Sequence, residues 1–191
     1  LATSGRIRGL LDARDADVRD AVTALDDFAS ALIYHVNRIH SQSQALTPVS
    51  SVTGTTVVAD ASALLNSSAA GIPFAIRHGS FQIHLTQQTS GQRTSTAIDI
   101  DLDGIDADND ATLNSLVAAL NAVDHVSATV SATGQLVIRS DSDDFRLSFS
   151  DDSSGVLAAL GVNGFFQGSD AATIAVSSNV GTDPQKLAAA H

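Results

Sequence analysis

From residue 12 to residue 44 the chain has neither Gly nor Pro. Within that stretch Val18, Val22, Leu25, Ala29, Leu32, Val36 and Ile39 recur at alternating steps of four and three. This is the a/d seam of a coiled coil, and it predicts a helix of about thirty residues. Phe28 and Ile33 widen the stripe, while Asp15, Asp17, Arg19, Asp20, Asp26, Asp27, Arg38 and Gln42 occupy the other faces. One helix cannot bury such a stripe by itself, so the stripe demands a partner. The pattern stops at Thr47-Pro48. Residues 47–71 are rich in Ser, Thr, Ala and Gly and read as a linker or weakly structured loop.

After Pro73 the period changes to two. Phe74 and Ile76, then Phe81, Ile83 and Leu85, predict a strand, a bend at His78-Gly79 and a second strand. Ile98, Ile100 and Leu102 alternate with Asp99, Asp101 and Asp103, a strand with one buried face and one wet face. Leu113, Leu116, Val117 and Leu120 return to helical spacing behind an Asp110 or Thr112 cap. Three short strands follow, the first two joined by a turn at Thr133-Gly134, and then a short helix closed by Gly161. Residues 73–161 therefore form an α+β unit with mainly antiparallel pairing.

The stretch 164–180 pairs Phe165 with Phe166 in a chain holding seven Phe and one Tyr, and then runs through Ile174 and Val176. An extended segment buries alternate side chains. Phe166, Ile174 and Val176 are therefore expected on the helix near Leu32, Val36 and Ile39, with Phe165 turned toward the α+β unit. Both rings are read as packing between helix and insertion. The resulting fold class is α+β: a long heptad-patterned helix with a returning C-terminal segment, plus an inserted domain. Residues 1–46 and 165–191 are expected to form one portion, discontinuous in sequence, and 47–164 an inserted α+β domain.

Composition narrows the function classes. All 21 acidic residues are Asp, Lys occurs once, and the formal net charge is −11. Such a surface repels nucleic acid and anionic lipid, which are held through Lys and Arg. No apolar run approaches the roughly 18 residues of a membrane span. The absence of Cys excludes disulfides, thiolate metal sites and thiol nucleophiles. No Met occurs, and the chain is expected to be a piece of something longer.

The sharpest chemical motif is residues 99–110. Asp99, Asp101, Asp103, Gly104 and Asp110 fall on positions 1, 3, 5, 6 and 12 of a calcium loop. Three features oppose calcium. Position 12 is Asp, a methylene shorter than the usual Glu; position 8 is Asp106 rather than apolar; and a strand, not a helix, precedes the loop. No tight metal site and no cofactor are expected. The six His, at 35, 40, 78, 84, 125 and 191, lack metal-binding spacing and read as surface or capping residues. Neither a nucleophile elbow nor a phosphate-binding glycine loop occurs, and no enzymatic activity is expected.

The motifs together carry a resemblance. "SGRIRGLLDARD" leading into a long helix that ends with Asn37 and His40 resembles the flagellar hook-associated protein FlgK family, with Ser43 where that family usually has glycine. "DATLNSLVAALNAVDHVSATVSATGQLVIRSDS" resembles a helix-and-hairpin repeat shared by flagellins and hook-associated proteins. "LGVNGFFQGSDAATIAV" resembles the family's return segment. The resemblance implies a middle fragment of an extracellular structural protein that joins hook to filament, exported through the flagellum's own channel, with 1–46 and 165–191 as a discontinuous helical rod portion and 47–164 as an outward-facing domain. It also implies self-assembly and contact with neighbouring axial proteins, the hook protein and the second junction protein, in the full-length chain. The alternative is a secreted calcium-dependent adhesion or binding domain that uses Asp99–Asp110.

Overall fold

The computed structural model describes residues 4–45, 47–105, 110–181, 185 and 187–190. It is of the mixed α+β class, with one long N-terminal helix and antiparallel sheets. The helix begins earlier than its seam suggests. α1 (Gly5–Asp12) passes through a π-helical stretch (Ala13–Asp17) into α2 (Val18–Ser41), with right-handed helical angles at every junction. No residue of α1 is buried.

The elements after the helix are β1 (Gln44–Ala45), β2 (Ser51–Thr53), β3 (Gly79–Gln87), β4 (Arg93–Ile100), α3 (Leu113–Asn121), β5 (Val126–Val130), β6 (Leu136–Ser140) and β7 (Phe145–Ser150). They continue with α4 (Val156–Leu160), β8 (Phe166–Gln167), β9 (Ala175–Val176), α5 (Ser178–Gly181) and β10 (Ala188–Ala190). Two three-stranded sheets, β4-β3-β7 and β2-β6-β5, are joined by the two-stranded pairs β1-β10 and β8-β9, and every ladder is antiparallel. One core binds them: Phe81, Ile83 and Leu85 of β3, Leu147 and Phe149 of β7, Leu136 and Ile138 of β6, and Leu113, Leu116 and Leu120 of α3. The α3 cap is reciprocal: the Ser115 N–H donates to Thr112 Oγ1 (3.0 Å) and the Thr112 N–H to Ser115 Oγ (2.9 Å).

Two expectations need correction. Residues 47–71 are not a linker. Val49 bridges to Leu147, β2 pairs with β6, and Val52, Val58, Leu65 and Ala70 are buried. Their apolar side chains are too sparse to show a period, and distant carbonyls satisfy their backbone: Val58 N–H donates to Gly134 and Leu65 N–H to Ala111. Phe74 and Ile76 are buried but lie outside the ladders, so a single strand replaces the expected strand-bend-strand. In the return stretch, the described residues form a short hairpin, one helical turn and a short strand.

The packing of α4 decides how the helix meets the sheets. All five of its residues are buried, and α2 lies against it, with Ile33 entering the common core. So short a helix must have its terminal groups satisfied locally. The Asp152 carboxylate accepts from Ser154 Oγ (2.8 Å) and from the N–H groups of Gly155 (2.8 Å), Leu157 (2.9 Å) and Ala158 (3.4 Å). At the other end Thr56 donates its N–H to the Leu160 carbonyl and its hydroxyl to that of Ala159. Gly161 then turns the chain at φ 68°, where a Cβ would stand 2.0 Å from Thr55 Oγ1.

Asp152→Ala leaves several buried N–H groups unpaired, and each such group costs about 1–3 kcal/mol. The variant is expected to lose about 2–4 kcal/mol in urea unfolding. A loss below about 0.5 kcal/mol, the size of an ordinary surface substitution, would show that α4 is capped by other means.

Candidate functional site

The most specific constellation in the molecule lies where the return hairpin meets the helix. Asn37 is buried on α2, and its amide pairs with both backbone groups of Phe166. Nδ2 donates to the Phe166 carbonyl (2.9 Å), and Oδ1 accepts the Phe166 N–H (2.8 Å). The side chain thus acts as a short piece of strand presented by a helix. Gly164 permits this approach, since a Cβ there would stand 3.0 Å from Asn37 Nδ2. One turn on, His40 Nδ1 lies 3.0 Å from the Asn163 carbonyl, an acceptor, so Nδ1 carries the proton. Burial holds the His40 imidazole below its usual pKa, against the contribution of that hydrogen bond, so the ring is neutral. Asn163 Nδ2 also donates to the Ser43 carbonyl (3.3 Å). The hairpin then runs back along the helix, and the Ala171 N–H donates to Asp26 Oδ1 (3.1 Å).

These contacts place Asp26, Asn37 and His40 on one docking stripe, with the buried Ile33 on the same line. It follows the heptad frame of the predicted seam but sits one residue further along. The seam itself remains mostly uncovered by the rest of the chain. Val18, Val22, Leu25, Leu32 and Ile39 are exposed, as is Phe28; Val36 is half-buried and only Ala29 is buried. The expected cover of the seam by Phe166, Ile174 and Val176 is therefore corrected. Phe166 and Ile174 pack against the main core, and Val176 is 46% exposed. The ring of Phe165 meets the helix rather than turning toward the α+β unit. Phe165 lies beside His40 of the helix (ring centroids 6.1 Å apart), and Phe166 meets Phe165 edge-on at 4.7 Å. The cause is the Asn37 clamp, which fixes the backbone of Phe166 and so sets which way each ring turns.

His84, expected in a surface or capping role, is buried inside the sheet. On β3 it lies between Ser95 of β4 and Ser150 of β7. Ser150 donates its one proton to Asp151 Oδ2 (2.5 Å), so His84 Nε2–H donates to Ser150 Oγ (2.8 Å) and Nδ1 accepts from Ser95 Oγ (2.7 Å). Burial, aided by Arg93 and opposed by Asp151, drives the imidazole down to about 4. Gln44 Nε2 donates to Ser148 Oγ beside it (2.8 Å), tying β1 to the same sheet face. His35 is exposed as expected, and His191 lies outside the described residues.

The acidic stretch does not gather the four carboxylates of the calcium alternative. The strand register places His78 opposite Asp101, and one ligand atom each from His78, Asp101 and Asp103 lies within 4.8 Å of the others. Asp99 is not in this group, Asp110 is buried, and Asp106 lies outside the described residues. No protein-family model and no curated protein matches this chain.

Two outcomes test this site. Asn37→Ala removes both bonds to Phe166 and leaves its buried backbone groups unpaired, at an expected cost of about 2–4 kcal/mol. Hydrogen exchange should lose protection at Phe166, Ala171 and the 26–40 stretch, while β3 and β7 stay protected. Unchanged protection at Phe166 would mean that the clamp does not hold the hairpin. The second outcome concerns pH. His84 and His40 are neutral in the native state with depressed pKa values, so the unfolded chain takes up protons first as pH falls. Stability should decline from about pH 6.5 to about 4 by up to ~1.4 kcal/mol per pH unit for each proton. Denaturant titrations across that window measure it, and His84→Asn should flatten the decline. An equal slope in the variant would assign the proton uptake to other groups.

Proposed function

We propose that this chain is the middle part of a FlgK-like hook-associated protein, an extracellular structural component at the junction of bacterial flagellar hook and filament. The observation that carries the reading is the two-sided helix. One heptad stripe is locked to the return hairpin, and the neighbouring stripe, Val18, Val22, Leu25, Leu32 and Ile39, stays exposed and apolar. A surface of that length and spacing fits other long helices packed in a rod. The Asn37, His40 and Ser43 segment, singled out by the resemblance, meets the return stretch at Asn163 and Phe166, as a helix and its returning strand in one rod would.

In this reading residues 1–46 and 165–191 belong to the rod, and 47–164 is an inserted domain facing outward. Its acidic surface keeps it solvated and separate from its neighbours. The role is mechanical and requires no cofactor. The partners are neighbouring copies and the adjoining axial proteins of the flagellum, reached after export through its channel.

The test is genetic. Deleting the gene for the full protein in its flagellated host should leave hooks without filaments and abolish swimming, and the intact gene should restore both. Normal filaments in the deletion strain would overturn the assignment. The isolated chain should be a monomer or weak dimer by light scattering, and a stable ring or tube would contradict the proposed need for further helices.

A further inference from the structure

We propose that two copies of this chain pair through the free edge of β4, antiparallel about a two-fold axis at Thr96, so that their β4-β3-β7 sheets become continuous. The ladder shows which backbone groups are available. The Gln87 N–H donates to the Gln92 carbonyl (2.8 Å), and the register runs on as Leu85 opposite Thr94, Ile83 opposite Thr96 and Phe81 opposite Ile98. Bonded and non-bonded pairs alternate in an antiparallel ladder, so the even-numbered residues of β4 exchange their bonds with β3. Arg93, Ser95, Ala97 and Asp99 therefore turn their N–H and carbonyl groups toward the open edge. All four residues are exposed, and among the described residues none bonds to those groups.

The comparable edges are closed from within the chain. On β7, Leu147 donates its N–H to the Val49 carbonyl (2.6 Å) and accepts the Val49 N–H (2.8 Å). On β5, the Ala128 N–H donates to Asn121 Oδ1 (2.8 Å), and its carbonyl accepts from Asn121 Nδ2 (2.9 Å). β2 has only three residues. β4 has eight, with no Pro and no break in its register. A long, regular, uncovered edge is a template for another strand.

The residues of the edge identify its occupant as a second copy. Outward-facing groups must meet outward-facing groups. One two-fold register pairs all four such residues of each copy: Arg93 opposite Asp99, and Ser95 opposite Ala97, with Thr96 facing its own counterpart. Arg93 and Asp99 are the two charged residues of β4 and lie on the same face of the strand. In this register they meet with opposite sign at both ends of the shared edge. Sliding the partner by two residues either way sets Arg93 against Ala97, or Asp99 against Ser95, and loses both ion pairs. The chain carries a net charge of −11, which holds copies apart elsewhere, whereas β4 itself is neutral. The pairing rests on β4 alone and holds whether or not the chain is flagellar.

Sedimentation equilibrium of the 191-residue chain tests the proposal. A dimer with a dissociation constant of about 0.05–0.5 mM is expected, since a one-strand interface lies at the small, transient end of the range. Arg93→Asp and Asp99→Arg should each weaken it by at least about tenfold, by setting like charges opposite one another. Combining the two restores opposite signs and should return the affinity to within about threefold of the parent. Ala97→Pro removes an outward N–H that β3 does not use, so the monomer should stay folded and the dimer should be lost. Leu25→Asp, on the exposed helical seam, should leave the dimer unchanged. In hydrogen exchange, the amides of Arg93, Ser95, Ala97 and Asp99 should gain protection as concentration rises, while Thr94, Thr96 and Ile98 are protected throughout. A monomer at about 1 mM would overturn the proposal. So would a dimer that survives Ala97→Pro or is abolished by Leu25→Asp, or a double charge exchange that fails to restore pairing.

Discussion

The arrangement of this molecule depends on one side-chain amide. A helix has used its own backbone groups internally and cannot extend a ladder to a neighbouring strand. Asn37 overcomes this by offering one donor and one acceptor at the spacing of a peptide group, and Phe166 takes both. Because Asn37 is buried, losing the pairing would strand polar atoms on both partners. Such a contact is costly to break and admits only one register. The hairpin is thereby set along the helix, with His40 and Ser43 meeting Asn163 at one end and Asp26 meeting Ala171 at the other.

Hydrophobic packing could not have set this register alone. The stripe that meets the hairpin contains Asp26, Asn37 and His40, and on its line only Ile33 is apolar and joins the core. Apolar contacts slide at little cost, whereas paired amides and a buried imidazole do not. The opposite division holds in the two sheets, where Ile83, Leu147 and Ile138 supply burial and the ladders supply register. α4 belongs to both systems. It is wholly apolar in sequence and wholly buried, yet Asp152 and Thr56 must satisfy its two ends before it can carry α2 on its surface.

Much of the fold was legible because regular elements write their period into the chain. The long helix, the Thr112-capped α3, the β5-β6 hairpin and the Gly161 stop all stand where pattern and turn chemistry place them. Residues 47–71 were not legible, since a segment that inserts one side chain per bend, Val52, Val58, Leu65, Ala70, has no period to read. The docking stripe was missed for a different reason. Hydrophobic spacing finds apolar faces, and the face that docks within the chain is polar. Its one visible sign was the pairing of Asn37 with His40 near the helix end. His84 gave no sign, because its partners Ser95 and Ser150 come from two other strands.

The one-residue offset between the two helical stripes has a geometric consequence. Successive residues of an α-helix are turned by about 100°, so the apolar seam lies roughly a quarter-turn from the hairpin. The helix can therefore be held on one side by its own chain while the seam faces outward over most of its length, from Val18 to Ile39. A helix buried all round would be confined to a core, and one with a single stripe would have to give up its hairpin to bind a neighbour. Two adjacent stripes remove that competition. Force applied to the seam would pass through α2 into Asn37, the hairpin and α4, and so reach the sheets through short, register-specific contacts. The junction role proposed for this chain would rest on that connection, which polar pairing provides at the face where hydrophobic packing could slip.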